Sequence, residues 1–250
     1  TGLPSSGNLA ITSAGVISGT PTNADVGAHT IIVTATDTGT GTLTVSDTYV
    51  LTVTNTNDVP TVSGAISDAS SAEDAAYSLD VSGNFADVDV GDTLSYAATG
   101  MPSTLSMSTS GTISGTPVNA DVGAHTIIVT ATDSSSAAAT ASDTYILTVT
   151  NTNDAPTATA ISDASTAEDA AYSLDVSGNF ADVDVGDTLS YAATGMPSTL
   201  LMSSAGTYAG SSRHAVDGSY TTNVIAYDSY SDAPTASAHY LLTVRHTKSG

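Results

Sequence analysis

Apolar and polar positions alternate in short bursts along this chain, and Gly, Pro, Asn and Asp stand between the bursts. In TIIVTATD, residues 126–133, Ile127, Val129 and Ala131 take every second position. In YILTVTN, residues 145–151, Tyr145, Leu147 and Val149 alternate with Ile146, Thr148 and Thr150. A period of two puts such residues on one face of a pleated strand, and β-branched side chains suit that surface. YSLDVSG offers Tyr77, Leu79 and Val81 in the same way, and TLSYAAT offers Leu94, Tyr96 and Ala98. No stretch keeps a helical stripe long enough to compete. The breaks SGNF, VGD, TGMP and SGTP carry the turn chemistry of antiparallel connections. The pattern predicts an all-β chain built of sandwiches.

The bursts also recur as blocks. AISDASSAEDAAYSLDVSGNFADVDVGDTLSYAATGMPSTL, starting at Ala65, returns from Ala160 with Ser71 replaced by Thr166 as its single change. SGTPTNADVGAHTIIVTATD at 18–37 returns at 114–133 with Thr22 replaced by Val118. The repeat is thus about the length of one small domain, and six or seven strands within it fit an immunoglobulin-like sandwich, without the Cys and Trp marks of antibody domains. Because the opening TGLP matches TGMP at 99–102 and 194–197, the first unit is expected to enter midway. The division expected is a half unit at 1–58, a complete unit at 59–153 and a divergent unit at 154–250. The half unit lacks counterparts of YSLDVSG and TLSYAAT, so Ile31, Val33, Leu51 and Val53 are expected to be uncovered and strand edges unpaired. Either the missing half was cut off, or another chain supplies strands and copies assemble head to tail into filaments. Near-identical neighbours suit a spacer or array better than an enzyme.

Charge narrows the partners. The chain carries 25 Asp and Glu against three basic residues, Arg213, Arg245 and Lys248, for a net charge of −22. Such a surface repels nucleic acid and anionic lipid and attracts cations. With no Cys there is no disulfide, thiolate metal site or cysteine nucleophile. No apolar run reaches the roughly 18 residues of a membrane span, and the start does not read as a signal peptide, so a soluble piece of a longer protein, without membrane insertion, is expected.

The acids are ordered. Glu73 and Glu168, the two glutamates, precede the first alternating strand of each full unit; DVDVGD supplies Asp87, Asp89 and Asp92, then Asp182, Asp184 and Asp187. Asp37, Asp133 and Asp228 close later strands. The linker TVTNTND occurs at 52–58 and 148–154, each time followed two positions later by proline. Hard oxygen donors on loops suit Ca²⁺, although any single Asp in a turn is as readily explained by a hydrogen bond to its own backbone. Two carboxylates about 4 Å apart repel by about 4 kcal/mol at an effective dielectric near 20, so a converging set calls for a counter-ion.

Glu before the first strand, Asp-x-Asp-x-Gly, the NAD turn, the Asp closing TATD and the Asn-x-Asn-Asp linker before proline together resemble the cadherin-like repeats of large bacterial surface proteins. GTISGTPVNADVGAHTIIVTATD and LTVTNTNDAP resemble the dystroglycan-type form most, and the resemblance spans nearly the whole chain. It implies tandem immunoglobulin-like, cadherin-like sandwiches arranged as a rod, with Ca²⁺ at the junctions. Carried over, the first junction would use Asp25, Asn55, Asn57 and Asp58 with Asp87, Asp89 and Asp133. The second would use Glu73, Asp121, Asn151, Asn153 and Asp154 with Asp182, Asp184 and Asp228. Asn55 and Asn151 stand where cadherins commonly carry Asp, and NAD replaces an Asp-x-Glu pair, so one or two ions per junction and weaker binding are expected. The implied function is a structural, extracellular, cell-surface rod or spacer of a bacterial adhesin, without catalysis.

At the end of the chain TVRHTKSG replaces the linker, placing Arg245, His246 and Lys248 at or beside ligand positions, where a cation would be repelled. AGSSRHAVDG likewise puts Arg213 and His214 in place of the acid turn. The alternative function is a binding or self-assembling module in which the third unit recognises a cell-surface ligand or a copy of the chain. Its enrichment in Tyr208, Tyr220, Tyr227, Tyr230 and Tyr240 would suit sugars, against a plain packing role. His29 and His125 occupy one repeat position at a strand start and read as packing or surface hydrogen bonding.

Overall fold

The computed structural model describes residues 1–135, 138–211, 217–229 and 235–245; Arg213, His214, Tyr230, His246 and Lys248 lie outside them. The chain forms two compact units. One comprises Thr1–Ser71, Ala75–Pro117 and Gly123–Val149; the other comprises Ala72–Asp74, Val118–Val122 and Thr150–Gly250.

The first unit opens with β1 (Ala10–Ile11) paired to β2 (Ile17–Ser18), and β3 (Gly27–Thr36) paired antiparallel to β4 (Thr44–Val53). Then follow β5 (Thr61–Val62), β6 (Ala69–Ala72), β7 (Tyr77–Asp80), β8 (Phe85–Ala86), β9 (Leu94–Thr99), β10 (Leu105–Met107), β11 (Thr112–Gly115), β12 (Gly123–Asp133) and β13 (Thr140–Thr150). They form a four-stranded sheet in the order β6-β13-β12-β9, a three-stranded sheet β10-β11-β7 and the small pair β5-β8. The alternation read from the sequence sets the faces: Ile127, Val129, Ala131, Tyr145, Leu147 and Val149 are at most 1% exposed, whereas Ile128 and Ile146 on the opposite face are exposed. Phe85 packs edge-on against Tyr96, whose hydroxyl donates to the Ser82 carbonyl at 3.1 Å.

The second unit repeats this plan with β14 (Thr157–Ala158), β15 (Ala164–Ala167), β16 (Ala171–Asp175), β17 (Phe180–Ala181), β18 (Ser190–Thr194), β19 (Leu200–Met202), β20 (Thr207–Ser211), β21 (Gly218–Tyr227) and β22 (Thr235–Arg245). Its sheets run β15-β22-β21-β18 and β16-β20-β19, with β14 paired to β17. β15 joins β22 in parallel, Ala164 opposite Leu242. Val176, Phe180, Leu200, Tyr208, Val224, Tyr240 and Leu242 make the core between the sheets.

Two expectations need correction. Among the described residues each full repeat contains nine strands rather than six or seven, because two-residue pairings such as Val62 with Phe85 are too short to show a period. In the first repeat Ile31 is 1% exposed rather than uncovered. The opening segment lies along β3, where Thr1 and Ile32 exchange backbone hydrogen bonds of 2.7 and 2.9 Å, and Pro4 is buried. Val33, Leu51 and Val53 are half-buried, and the exposed apolar residues of β4 are Val45, Tyr49 and Val50.

Among the tyrosines of the last repeat, Tyr208 and Tyr240 are core residues, Tyr220 is half-buried and Tyr227 is exposed. His29 lies beside the NAD turn with Nε2 2.6 Å from the Asp25 carbonyl oxygen.

Candidate metal centre

Both linkers are built the same way. The amide of Asp58 donates to Asp89 Oδ2 at 2.6 Å in the first unit, and the amide of Asp154 donates to Asp184 Oδ2 at 2.7 Å in the second. Within each DVDVGD loop the second Asp amide donates to the first Asp, at 2.9 Å for Asp87 and 3.0 Å for Asp182. These are the local Asx turns that short acidic loops favour. They orient one oxygen of each carboxylate and leave the other for something else.

In the second unit much of that remaining oxygen converges. One oxygen each from Glu73, Asp74 and Asp154 lie within 4.8 Å of one another, and so do oxygens of Asp182, Asp184 and Asp187. Glu73 is only 1% exposed; its Oε1 accepts from the Thr152 amide at 2.9 Å, while Oε2 has no hydrogen-bond donor. The same holds for Asp184 Oδ1 in a side chain 5% exposed, and for Asp182 Oδ2 and Asp187 Oδ2. Buried carboxylate oxygens without donors are costly unless a cation neutralises them. Burial raises the Asp187 carboxyl above the usual range, and the charges of Asp228, Asp184 and Asp182 add to it. The donors are hard oxygens at several angles, the set that suits Ca²⁺.

The first unit uses its acids differently. Asp25 accepts from the amides of Ser6 and Thr22 at 3.2 and 2.9 Å, and these bonds, the Thr22 amide foremost, lower its pKa. Asp133 accepts from the Ser135 hydroxyl and amide at 2.6 and 3.0 Å on Oδ1, and from Asn57 Nδ2 at 3.0 Å on Oδ2. The Ser135 bond, then the Asn57 bond, hold its carboxyl below the usual range. Asp89, 6% exposed, keeps Oδ1 without a donor, as do Oδ2 of Asp87 and of Asp92.

Of the residues singled out from sequence, Glu73, Asp154, Asp182 and Asp184 fall in the two triads of the second unit. Asp121 and Asp228 are buried nearby in sequence order, at the NAD turn and beyond β21. Asn153 donates to the Asp154 carbonyl at 3.3 Å and keeps a buried Oδ1 without a donor; Asn57 donates to the Asp58 carbonyl at 2.9 Å. Asn55 and Asn151 stand exposed and enter none of these bonds. Four further residues belong to the arrangement. Asp74 and Asp187 complete the triads, and Asn23 and Asn119 donate to Asp58 Oδ2 and Asp154 Oδ2 at 2.7 and 2.6 Å. Their signal in the sequence was their recurrence: NAD is written twice, and AED and DVDVGD are each written twice.

No curated protein matches the chain significantly. Solved structures do share its fold. The EC22–24 fragment of mouse cadherin-23 matches over 93% of this chain and 80% of its own length, at 17% identity and a TM-score of 0.58. PcdhgB3 EC1–4 matches over 98% of this chain and 66% of its own, at 19% identity and 0.62. Domains 1–5 of protocadherin gamma B2 match over 96% and 50%, at 16% identity and 0.53. The chain is therefore an array of immunoglobulin-like repeats with a cadherin-like fold. A family profile described as "Putative Ig domain" matches residues 1–54, 59–150 and 155–245, and the chain belongs to that family.

Proposed function

We propose that this chain is a calcium-dependent structural segment of an extracellular, surface-attached protein of the bacterial adhesin type, made of three successive repeats at 1–58, 59–153 and 154–250. The reading rests above all on Glu73: a carboxylate 1% exposed, with one oxygen lacking any donor, beside Asp74 and Asp154. Folding buries that charge at a cost that an uncompensated interior cannot sustain. A dication recovers it.

Glu73, Asp74, Asp154, Asp182, Asp184 and Asp187 would hold the ion or ions in the second unit, and Asp87, Asp89 and Asp92 in the first. The bound ion would supply charge neutralisation and fix the linker that each acid amide already ties to the loop. Ions held at hundredfold excess over a dissociation constant add about 2.7 kcal/mol per site, enough to stiffen a short linker. No catalysis is assigned, because the same carboxylates are reused from repeat to repeat. No helix of the described residues is long and apolar enough to cross a membrane.

Calorimetry on the chelator-stripped chain tests the proposal. Calcium should give binding heat that Asp182→Asn with Asp184→Asn removes in large part; an isotherm unchanged by that double substitution would refute the assignment.

A further inference from the structure

We infer that the β3-β4 hairpin of the first repeat is a receptor for a strand of the chemistry Ile-Ser-Asp-Ala-x-x-Ala-Glu, which adds to the open edge of β4 and brings a glutamate to Asp58. The part that concerns cations rests on the calcium reading above.

The chain itself shows what fits this surface. β4 and β13 occupy one repeat position; β13 has β12 and β6 as neighbours, whereas among the described residues β4 has β3 alone. In the last repeat the strand equivalent to β6 is β15, which lies parallel to β22. Carboxylates fix the register of the added strand. Asp68 Oδ1 accepts the Ile146 amide and Asp143 Oδ2 accepts the Ile66 amide, both at 2.7 Å, and Asp163 Oδ1 accepts the Leu241 amide at 2.8 Å. Beyond these strands, the amides of Glu73 and Glu168 donate to the carbonyls of Thr150 and Arg245 at 3.0 and 2.9 Å.

The first repeat keeps the receiving groups. Asp47, Val50, Thr54 and Thr56 stand where Asp143, Ile146, Thr150 and Thr152 stand in the complete repeat. Val50 is opposite Thr30 as Ile146 is opposite Thr126, so its amide likewise points away from the neighbouring strand. Asp47 is exposed, with its Oδ1 accepting from the adjacent Thr48 amide. Along this edge an open groove of about 510 Å³ runs from Pro21 and Val26 past Leu51, Val53 and Thr54 to Asp58. Leu51 and Val53 are half-buried, whereas their counterparts Leu147 and Val149 are at most 1% exposed. Asn23 already holds Asp58 as Asn119 holds Asp154. An added strand therefore meets a wall that is set, with apolar surface to bury and backbone groups to pair.

The copies of this segment at 65–73 and 160–168 carry β6 and β15, which are seated on β13 and β22. The occupant is thus a segment of the same kind that no repeat of this chain uses, rather than a second copy of the chain. Its glutamate accepts the Thr56 amide and stands beside Asp58, as Glu73 does at Thr152 and Asp154. Carboxylates so placed repel until a cation joins them, and strand and calcium each tighten the binding of the other.

The test is a synthetic peptide of residues 65–76 titrated into the intact chain, first in chelator and then in calcium, and followed by amide NMR. The amides of Val50, Thr54 and Thr56 should shift, and those of Ile146 and Leu241 should not. Asp68→Asn in the peptide should weaken binding by about tenfold or more in both conditions. Calcium should tighten the unaltered peptide at least about fivefold. Glu73→Gln in the peptide should remove that gain while binding at least as well in chelator. Because these changes lie in the peptide, none can unfold the receptor. No shift at Val50, shifts at Ile146 or Leu241 instead, or self-association of the chain that the peptide leaves unchanged, marking a second copy as the occupant, would overturn the inference and leave the calcium reading standing. Peptide binding that calcium does not tighten would overturn the role of the glutamate. A chain that takes the peptide yet gives no binding heat with calcium would keep the receptor and sink the calcium reading.

Discussion

Two substitutions in the core show how closely packed these repeats are. Position for position, Ile113 and Ile127 of the complete repeat become Tyr208 and Thr222 in the last one, and all four side chains are fully buried. The larger ring is offset by the smaller partner, and the new hydroxyl of Thr222 sits in an environment shared with Tyr208 and Tyr240. Burial pushes the Tyr208 phenol up to about 12, with the Thr222 hydroxyl working against the rise. Tyr208 also meets Tyr172 and Tyr240 edge-on, at 5.8 and 6.4 Å between ring centroids. Tyr208→Ile should cost about 2–4 kcal/mol through lost volume. Thr222→Ile should cost about 1–3 kcal/mol through overpacking. The double variant rebuilds the Ile pair of the preceding repeat, so urea unfolding should find it more stable than the summed single losses by at least about 1 kcal/mol. Strict additivity would show that the two positions do not pack as a pair.

At the scale of elements, the TG-x-P turn ahead of each short strand depends on a glycine for two reasons at once. Gly100 has φ +79, and a Cβ there would lie 2.1 Å from the Thr126 carbonyl oxygen of β12; Gly195 has φ +77 and would meet the Thr221 carbonyl of β21 at 2.2 Å. The turn brings backbone against backbone, closer than any side chain permits. Gly100→Ala should therefore lose about 1–3 kcal/mol from the backbone conformation alone, with the clash in addition. Hydrogen exchange should show the loss as faster exchange in β12 around Ile127 rather than in the linker. Faces and turns of this kind were readable beforehand, since Ile127, Val129 and Ala131 are buried as their alternation requires. The pairs β5-β8 and β14-β17 were not, since two residues carry no period.

Across the whole molecule the acids divide into two groups with opposite effects on folding. Asp25, Asp80, Asp133 and Asp175 have lowered pKa values, each chiefly through a hydrogen bond from a neighbouring Ser or Thr. They add stability that is fully present above the unfolded value near 3.8 and lost as pH falls through their folded values. Asp187 is raised, so the folded chain keeps its proton longer than the unfolded chain does, and stability falls as pH rises from about 3.8 through the folded value. In chelator, Asp187→Asn should accordingly raise the midpoint of thermal unfolding at pH 7 and lose that advantage below about pH 4. In saturating calcium the same substitution should lower the midpoint, because the ionised carboxylate is then a ligand. A variant that lowers the midpoint in both conditions would show that Asp187 is a structural acceptor instead.

What the sequence determined unaided is local. Period-two alternation placed Tyr145, Leu147 and Val149 in the core, and turn residues placed the acids at strand ends, because side-chain direction in a strand and the torsion of a tight turn depend only on near neighbours. The block repeats carried the array, since nearly identical segments fold to the same sheets. Which carboxylates share a site was decided by tertiary structure. Glu73 meets the amide of Thr152, and Asp133 meets Asn57, across more than seventy residues of chain. Asp133 is satisfied by Ser135 and Asn57, while Asp187 is crowded by Asp182, Asp184 and Asp228. Charge and hydrogen bonding act over a few ångströms in space whatever the separation in sequence, so the letters of one loop do not say which distant residue completes its site.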